Sequence, residues 1–222
     1  LEKLGFKKNQ IQNMENPYIG PDYKDYNFKK IKKDKDLIFK KTSIDNIAQL
    51  LKEGKVVAKF SLNNSEFGPR ALGNRSILAS PFSTDAVHHI NQKIKVRDFW
   101  MPFAPSIIDE DFKKLLKSNN KNSFSFMTSS LNSTEKGKKN IPAALHPFDK
   151  TARPQLITKK LNKEYFDLIK KFKKKTGVGA LLNTSFNLHG EPIVFSPEDA
   201  IKTFKKSGLE YLYIGKYLIT KR

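Results

Sequence analysis

The stretch VGALLNTSFNLHGEPIVFSPEDAIKTFKKSG, residues 178–208, contains a complete change of chain periodicity. Its first nine residues are an apolar run of strand length that ends in small polar side chains. SPEDAIKTFKKSG then opens with a Ser cap, puts Pro197 at the first helical position and acids in the first turn, and stops at Gly208. The reading is strand, polar turn, helix. LEYLYIGKYLITK, residues 209–221, follows as strand, tight Gly-Lys turn and strand.

The same alternation extends toward the N-terminus. NKEYFDLIKKFKKKTG, residues 162–177, is an amphipathic helix ending at Gly177. TSIDNIAQLLKEG, residues 42–54, is a capped helix with Ile44, Ile47, Leu50 and Leu51 apolar, and KVVAKFSL after it is a strand. STDAVHHINQKI is helical, with Val87, Ile90 and Ile94 on one face. MPFAPSII, with two prolines, suits an extended segment near a sheet edge. Residues 117–140 read as a short strand around Phe124–Thr128 and then a mobile polar loop. The fold class is α/β, or α+β if the sheet is mixed. Residues 1–42 are polar and weakly periodic; they read as a linker plus the edge of a preceding domain, leaving 43–222 as the domain proper.

Composition narrows the function. The formal charge is +20, so polyanions are the natural partners: nucleic acid, anionic membrane or phosphorylated metabolites. Most lysine runs read as solvated faces. No run approaches the ~20 apolar residues of a membrane span. There is no cysteine, which excludes disulfides, thiol catalysis and Cys-ligated zinc, and fits a cytoplasmic protein. Of 42 Lys+Arg only five are arginine: Arg70, Arg75, Arg97, Arg153 and Arg222. Arginine binds phosphate or carboxylate bidentately with a planar fork that lysine cannot copy, so their placement is informative.

Four polar segments hold the chemistry. In EFGPRALGNRS, Gly68-Pro69 forces a turn, Gly73 permits close backbone approach, and Arg70 and Arg75 project from the loop unless acids such as Glu66 pair with them. In NQKIKVRDFWMPFAPS, Lys95 and Arg97 share a face if the segment is extended, beside Trp100, which reads first as core. In FDKTARPQ, Arg153 precedes a proline that favours extended backbone. In LLNTSFNLHGEPIV, Asn183, Thr184, Ser185 and Asn187 lie beyond a strand end, where α/β sheets bind ligands, or else cap an ordinary turn. His88 and His89 are adjacent and point apart, His146 and His189 are isolated, and no P-loop, dinucleotide fingerprint or HExxH occurs.

Taken together, SEFGPRALGNRSILASP, KIKVRDFWMPFAPSI, TARPQ and LLNTSFNLHGEPIVFSPEDAI resemble the C-terminal domain of the O-carbamoyltransferase family. That family includes the nodulation-factor carbamoyltransferase and the tailoring enzymes of cephamycin and tobramycin synthesis. The resemblance runs from about Tyr18 to the C-terminus. It implies a YrdC-like twisted mixed sheet flanked by helices. It implies that the domain binds ATP, with Mg²⁺ accompanying it, and carbamoyl phosphate, and forms carbamoyl adenylate. An N-terminal domain of the actin/sugar-kinase-like class, carrying its own metal, would transfer the carbamoyl group to a hydroxyl. By the resemblance, Arg70, Lys95 and Arg153 hold the phosphates of carbamoyl phosphate and ATP. Arg97 adds a cation, Arg75 is a second phosphate ligand or a loop brace, and Asn183, Thr184, Ser185 and Asn187 contact the nucleotide or the carbamoyl group. No metal ligand set is evident in this chain. Asn63 and Asn64 stand where many relatives have Gly-Arg, Met101 where many have Arg, and Lys150 where Gly is usual. A homodimer is compatible with this reading. The alternative is an RNA-binding module using the basic YrdC-like surface, which charge alone supports.

Overall fold

A computed structural model describes residues 16–82, 84–95, 102–118 and 124–222. Ten strands are present among them: β1 (Leu37–Lys41), β2 (Val57–Phe60), β3 (Arg75–Ala79), β4 (Ala104–Ile108), β5 (Leu131–Asn132), β6 (Thr151–Ala152), β7 (Gln155–Ile157), β8 (Ala180–Ser185), β9 (Tyr211–Ile214) and β10 (Tyr217–Lys221). The helices are α1 (Ile44–Lys52), α2 (Thr84–Ile90), α3 (Asp109–Leu115), α4 (Glu135–Asn140), α5 (Lys163–Thr176) and α6 (Pro197–Lys206). Eight strands make one sheet in the order β1-β10-β9-β2-β3-β8-β4-β7, and β5 and β6 pair separately. The β2–β9 and β4–β7 pairs are parallel and the other ladders antiparallel, so the sheet is mixed.

The central strands are apolar on both faces, and their two-residue period divides the core. Val57, Leu78, Ile108 and Leu181 join a cluster with Ile47 and Leu51 of α1 and Leu168, Ile169 and Phe172 of α5. Their neighbours Ala58, Ile77, Ile107 and Leu182 join the opposite cluster, with Val87 and Ile90 of α2, Phe112 of α3 and Phe204 of α6. The helices stop where local chemistry says they should. Gly177 takes φ +83° at the end of α5, and Ser196 with Asp199 closes a capping box at the start of α6.

Several expectations need correction. The described part of the supposed linker belongs to the domain. Tyr18 is buried, residues 17–23 bond to residues 62–67 through Gly20 N–Ser65 O at 3.0 Å and Phe67 N–Pro17 O at 2.7 Å, and β1 pairs with β10 at the sheet edge. Polar composition concealed this, because backbone pairing needs no particular side chain. Arg75 and Ser76, read as part of the loop, instead open the fully buried strand β3. MPFAPSII does contain a strand: β4 lies between β8 and the edge strand β7, near the sheet edge as expected. Phe124–Thr128 is a turn with Met127 at φ +55°, not a strand, and the polar stretch after it holds β5 and α4. Gly137 lets α4 lie close on α3, since a Cβ there would meet Leu115 O at 2.0 Å.

Candidate functional site

The site begins with the connection between β2 and β3. The carboxylate of Glu66 folds this loop by accepting three backbone N–H groups at one oxygen: Leu72 at 2.6 Å, Arg75 at 3.1 Å and Asn74 at 3.2 Å. One oxygen of Glu66 is thus engaged by the loop's own backbone while the other is buried without a hydrogen-bond partner, and the alternative that Glu66 serves to pair Arg70 does not describe the structure. Neighbouring elements brace the same segment. Tyr18 Oη and Gln155 Nε2 donate to Leu72 O at 2.7 and 2.8 Å, Asn183 Nδ2 donates to Ala71 O at 3.1 Å, and Lys59 Nζ donates to Gly73 O at 2.8 Å. Arg70, the residue between these anchors and Pro69, is exposed.

The second cation arrives from elsewhere in the chain. Arg153 follows β6 and precedes Pro154, and it too is exposed. Arg70 and Arg153 both line each of three cavities, so the cavities are compartments of one cleft. One, of about 500 Å³, is walled mainly by apolar groups: Phe67, Leu72, Phe126 and Met127. A second, of about 560 Å³, is lined by Phe103, Ser130, His146 and Thr151. The third, of about 100 Å³, is bounded by Ala71, Phe103 and the end of β8 at Asn183, Thr184 and Ser185. The cleft thus lies at the carboxyl end of a central strand, with a fork-shaped cation on each contributing loop.

Other expected residues serve different ends. Lys95 is buried and clamps the turn after β8, donating to Ser185 O at 2.6 Å, Ser185 Oγ and Asn187 O at 3.1 Å, and Asn187 Oδ1. Neither Lys95 nor Asn187 is among the residues lining the three compartments; they position Ser185. Arg75 is a brace and does not line the cleft. It is buried in β3, lies 3.7 Å from the Phe60 ring centroid, and donates from Nη1 to Ser61 O at 2.6 Å and Asn74 O at 3.0 Å. Burial pushes its guanidinium down to about 10, opposed by the charge of Glu66. Arg97 and Trp100 lie outside the described residues.

Sequence reasoning missed the pair beneath the loop. Lys59 is fully buried in β2 and reaches Glu164 of α5 at 3.2 Å. Glu164 also accepts from Ser61 Oγ at 2.6 Å and Asn63 Nδ2 at 3.0 Å. Burial works against the Glu164 carboxylate, yet Lys59 and these donors together hold it below the ordinary glutamate value. A lone lysine in the apolar run VVAKF was the available signal. Asn63, which the resemblance marked as a departure, thus has a structural partner here.

A sequence model of the family described as Carbamoyltransferase C-terminus matches residues 48–221. The chain belongs to this family. It is a transferase family, and the sequence resemblance is borne out. The protein MJ1058 of Methanocaldococcus jannaschii is 37% identical across 99% of this chain and 37% of its own length. Nodulation protein NolNO of Sinorhizobium fredii is 42% identical across 79% of this chain and 26% of its own length. The chain therefore spans little more than a third of MJ1058 and about a quarter of NolNO. Among solved structures, E. coli YciO superposes over 78% of both chains with a TM-score of 0.54 at 17% identity. Full-length HypF, in its phosphate- and nucleotide-bound form, covers 77% of this chain and 21% of its own with a TM-score of 0.50 at 22% identity. The fold is YrdC-like, as the resemblance implied. Among the described residues no helix is long and apolar enough to cross a membrane.

Proposed function

We propose that this domain binds ATP and carbamoyl phosphate in the cleft between Arg70 and Arg153 and joins the carbamoyl group to the α-phosphate. The step consumes one water and yields carbamoyl adenylate, pyrophosphate and inorganic phosphate. The observation that carries this reading is that two arginines from unconnected loops wall the same three compartments beside the end of β8. Two polyanions repel each other, and a site that holds both needs fixed cations whose charge-assisted bonds contribute about 1.5–3 kcal/mol each. The hydrogen-bonded backbone of residues 71–73 holds the loop beside Arg70 before ligand arrives, so catalysis rests on positioning and charge stabilisation. The apolar compartment suits a nucleobase and the small polar one the carbamoyl end. The phosphate- and nucleotide-bound state of HypF supports this assignment of ligand classes. Mg²⁺ enters with the ATP phosphates. The site for the acceptor hydroxyl would lie in the remaining length of the longer relatives, and transfer would be completed there.

The test is thermal unfolding of the wild type, Arg70→Ala and Arg153→Ala with Mg·ATP, with carbamoyl phosphate and with both. Ligand at ~100 times its dissociation constant adds about 2.7 kcal/mol. Stabilisation of the wild type that both substitutions abolish is the expected result. A folded wild type that no ligand stabilises, or variants stabilised as well as the wild type, would refute the reading. Part of the lysine charge behind the RNA alternative is internally paired: Lys170 and Lys173 contact Glu110, and Lys175 contacts Asp45.

A further inference from the structure

Pro17 and Tyr18 grip the backbone on either side of Arg70. Phe67 N donates to Pro17 O at 2.7 Å, and Tyr18 Oη donates to Leu72 O at 2.7 Å. Gly68, Pro69, Arg70 and Ala71 are the arc between these two anchors. The same segment continues along the rest of the loop. Gly20 N donates to Ser65 O and Ser65 N to Pro21 O, both at 3.0 Å. Tyr23 N donates to Leu62 O at 2.8 Å, and Asn64 Nδ2 donates to Gly20 O at 2.9 Å. Residues 17–23 thus form a strap along the loop that carries Arg70. The fit is close, since a Cβ at Gly20 would lie 2.1 Å from Ser65 Oγ.

No residue of the strap lines the cleft compartments, so any effect on a ligand passes through the loop. Tyr18 is the point of transmission. It is buried in a cluster with Leu72, Ala104 and Met127, and all three of those residues line the cleft. Leu72 O has a second donor, Gln155 Nε2 at 2.8 Å, so both of its lone pairs are used. One bond ties the loop to β7 and the other ties it to the strap. Displacing a positioned group by about 1 Å is enough to cost most of its effect on a reaction.

We propose that the strap of residues 17–23 positions Arg70 for its anionic ligand, with Tyr18 as the positioning residue, and that ligand in the cleft in turn holds the strap against the loop. The proposal rests on the reading of the cleft given above. The ligand favours the docked strap because only the docked strap fixes both ends of the Arg70 arc. A ligand that binds the docked state more tightly stabilises docking by the same factor. The reciprocal effect is therefore measurable at strap amides that touch no ligand. A strap that merely completed the fold would lower stability when weakened and leave the affinity of the folded protein unchanged.

The experiment measures carbamoyl phosphate binding to the wild type, Tyr18→Phe, Ser43→Ala and Arg70→Ala, at a temperature where circular dichroism shows each to be folded. Tyr18→Phe should weaken binding by at least about fivefold. Ser43→Ala removes the cap of α1, which lines no compartment, and should bind as the wild type does. Amide hydrogen exchange of the wild type is then followed with and without carbamoyl phosphate. Exchange at Gly20 and Tyr23 should slow, and by more than at Thr42, whose amide donates to Lys216 O beside the β1–β10 edge. A folded Tyr18→Phe that binds as tightly as the wild type overturns the proposal, as does an equal loss in Ser43→Ala. So does a ligand-bound wild type in which Gly20 and Tyr23 slow no more than Thr42, and that result stands even if Tyr18→Phe fails to fold. In each case, binding that Arg70→Ala abolishes leaves the cleft reading standing. A wild type that binds carbamoyl phosphate no better than Arg70→Ala fails the cleft reading and the proposal together.

Discussion

The ring of Tyr165 occupies the space into which a side chain at Gly73 would project: a Cβ built on Gly73 lies 2.1 Å from Tyr165 Cδ1. Tyr165 is fully buried in α5, and Gly73 has φ +108° in the loop that carries Arg70. The helix behind the sheet therefore sets how closely the Arg70 loop can approach.

Gly73→Ala must displace a packed ring and strain the backbone as well. Overpacking of this kind costs about 1–3 kcal/mol, and the positive φ adds to it. Urea unfolding should show the loss. Ligand stabilisation should fall with it, because the segment that moves is the one next to Arg70. A variant as stable as the wild type would mean that α5 yields easily.

Lys59, fully buried, and Glu164, partly exposed, form a pair in which each partner justifies the other. Lys59→Met leaves a carboxylate with only Ser61 and Asn63 as donors, and breaking the pair costs at most about 3 kcal/mol, less as solvent screens Glu164. Adding Glu164→Gln should recover part of that loss, so the double variant should be more stable than the sum of the single effects predicts. Strict additivity in chemical denaturation would show that the pair is not coupled.

The same carboxylate gives stability an acid limit. The Glu164 pKa is held below the ordinary glutamate value, so in the acid range the unfolded chain binds the proton more readily. The resulting stabilisation is present above the unfolded-state pKa and is lost as pH falls through the folded-state value. Asp111 acts in the same direction: burial opposes its charge, but Lys114, Lys173 and the Gly179 amide hold its pKa down. The wild type should lose stability on acidification below the usual carboxylate range, and Glu164→Gln should show a shallower loss. Identical pH profiles would remove Glu164 as a contributor.

Ser196→Ala is the contrasting substitution. It deletes the cap of α6, whose hydroxyl accepts from Asp199 N at 3.1 Å. The cost should be about 1 kcal/mol. Ligand-induced stabilisation should stay at the wild-type value, since α6 supplies no lining residue to the cleft compartments. A lost ligand response would place α6 in communication with the site.

Much of the fold could be read from local chemistry. Gly177 and the Ser196–Pro197 start marked helix ends because caps act within one turn. The Gly215-Lys216 turn marked the β9–β10 hairpin for the same reason. β3 was hidden because its first residue is an arginine, and Arg75 is tolerable there because it stacks on Phe60 of the adjacent strand and donates to Ser61 O and Asn74 O. The Phe124–Thr128 segment has a strand's composition, yet Met127 takes a left-handed conformation that composition does not report.

The amino-acid order alone carried the alternation of helix and strand, the family resemblance and the singling out of Arg70, Arg153 and the LLNTS segment, all of which follow from short-range patterns and residue type. The folded chain assigned the roles. It separated Arg70 and Arg153, on the cleft, from Arg75 and Lys95, which brace it. It buried Lys59 against Glu164 and set Pro17 and Tyr18 against the Arg70 loop. Each of these depends on contacts between residues far apart in the chain, and burial and hydrogen bonds acquire meaning only once those residues meet.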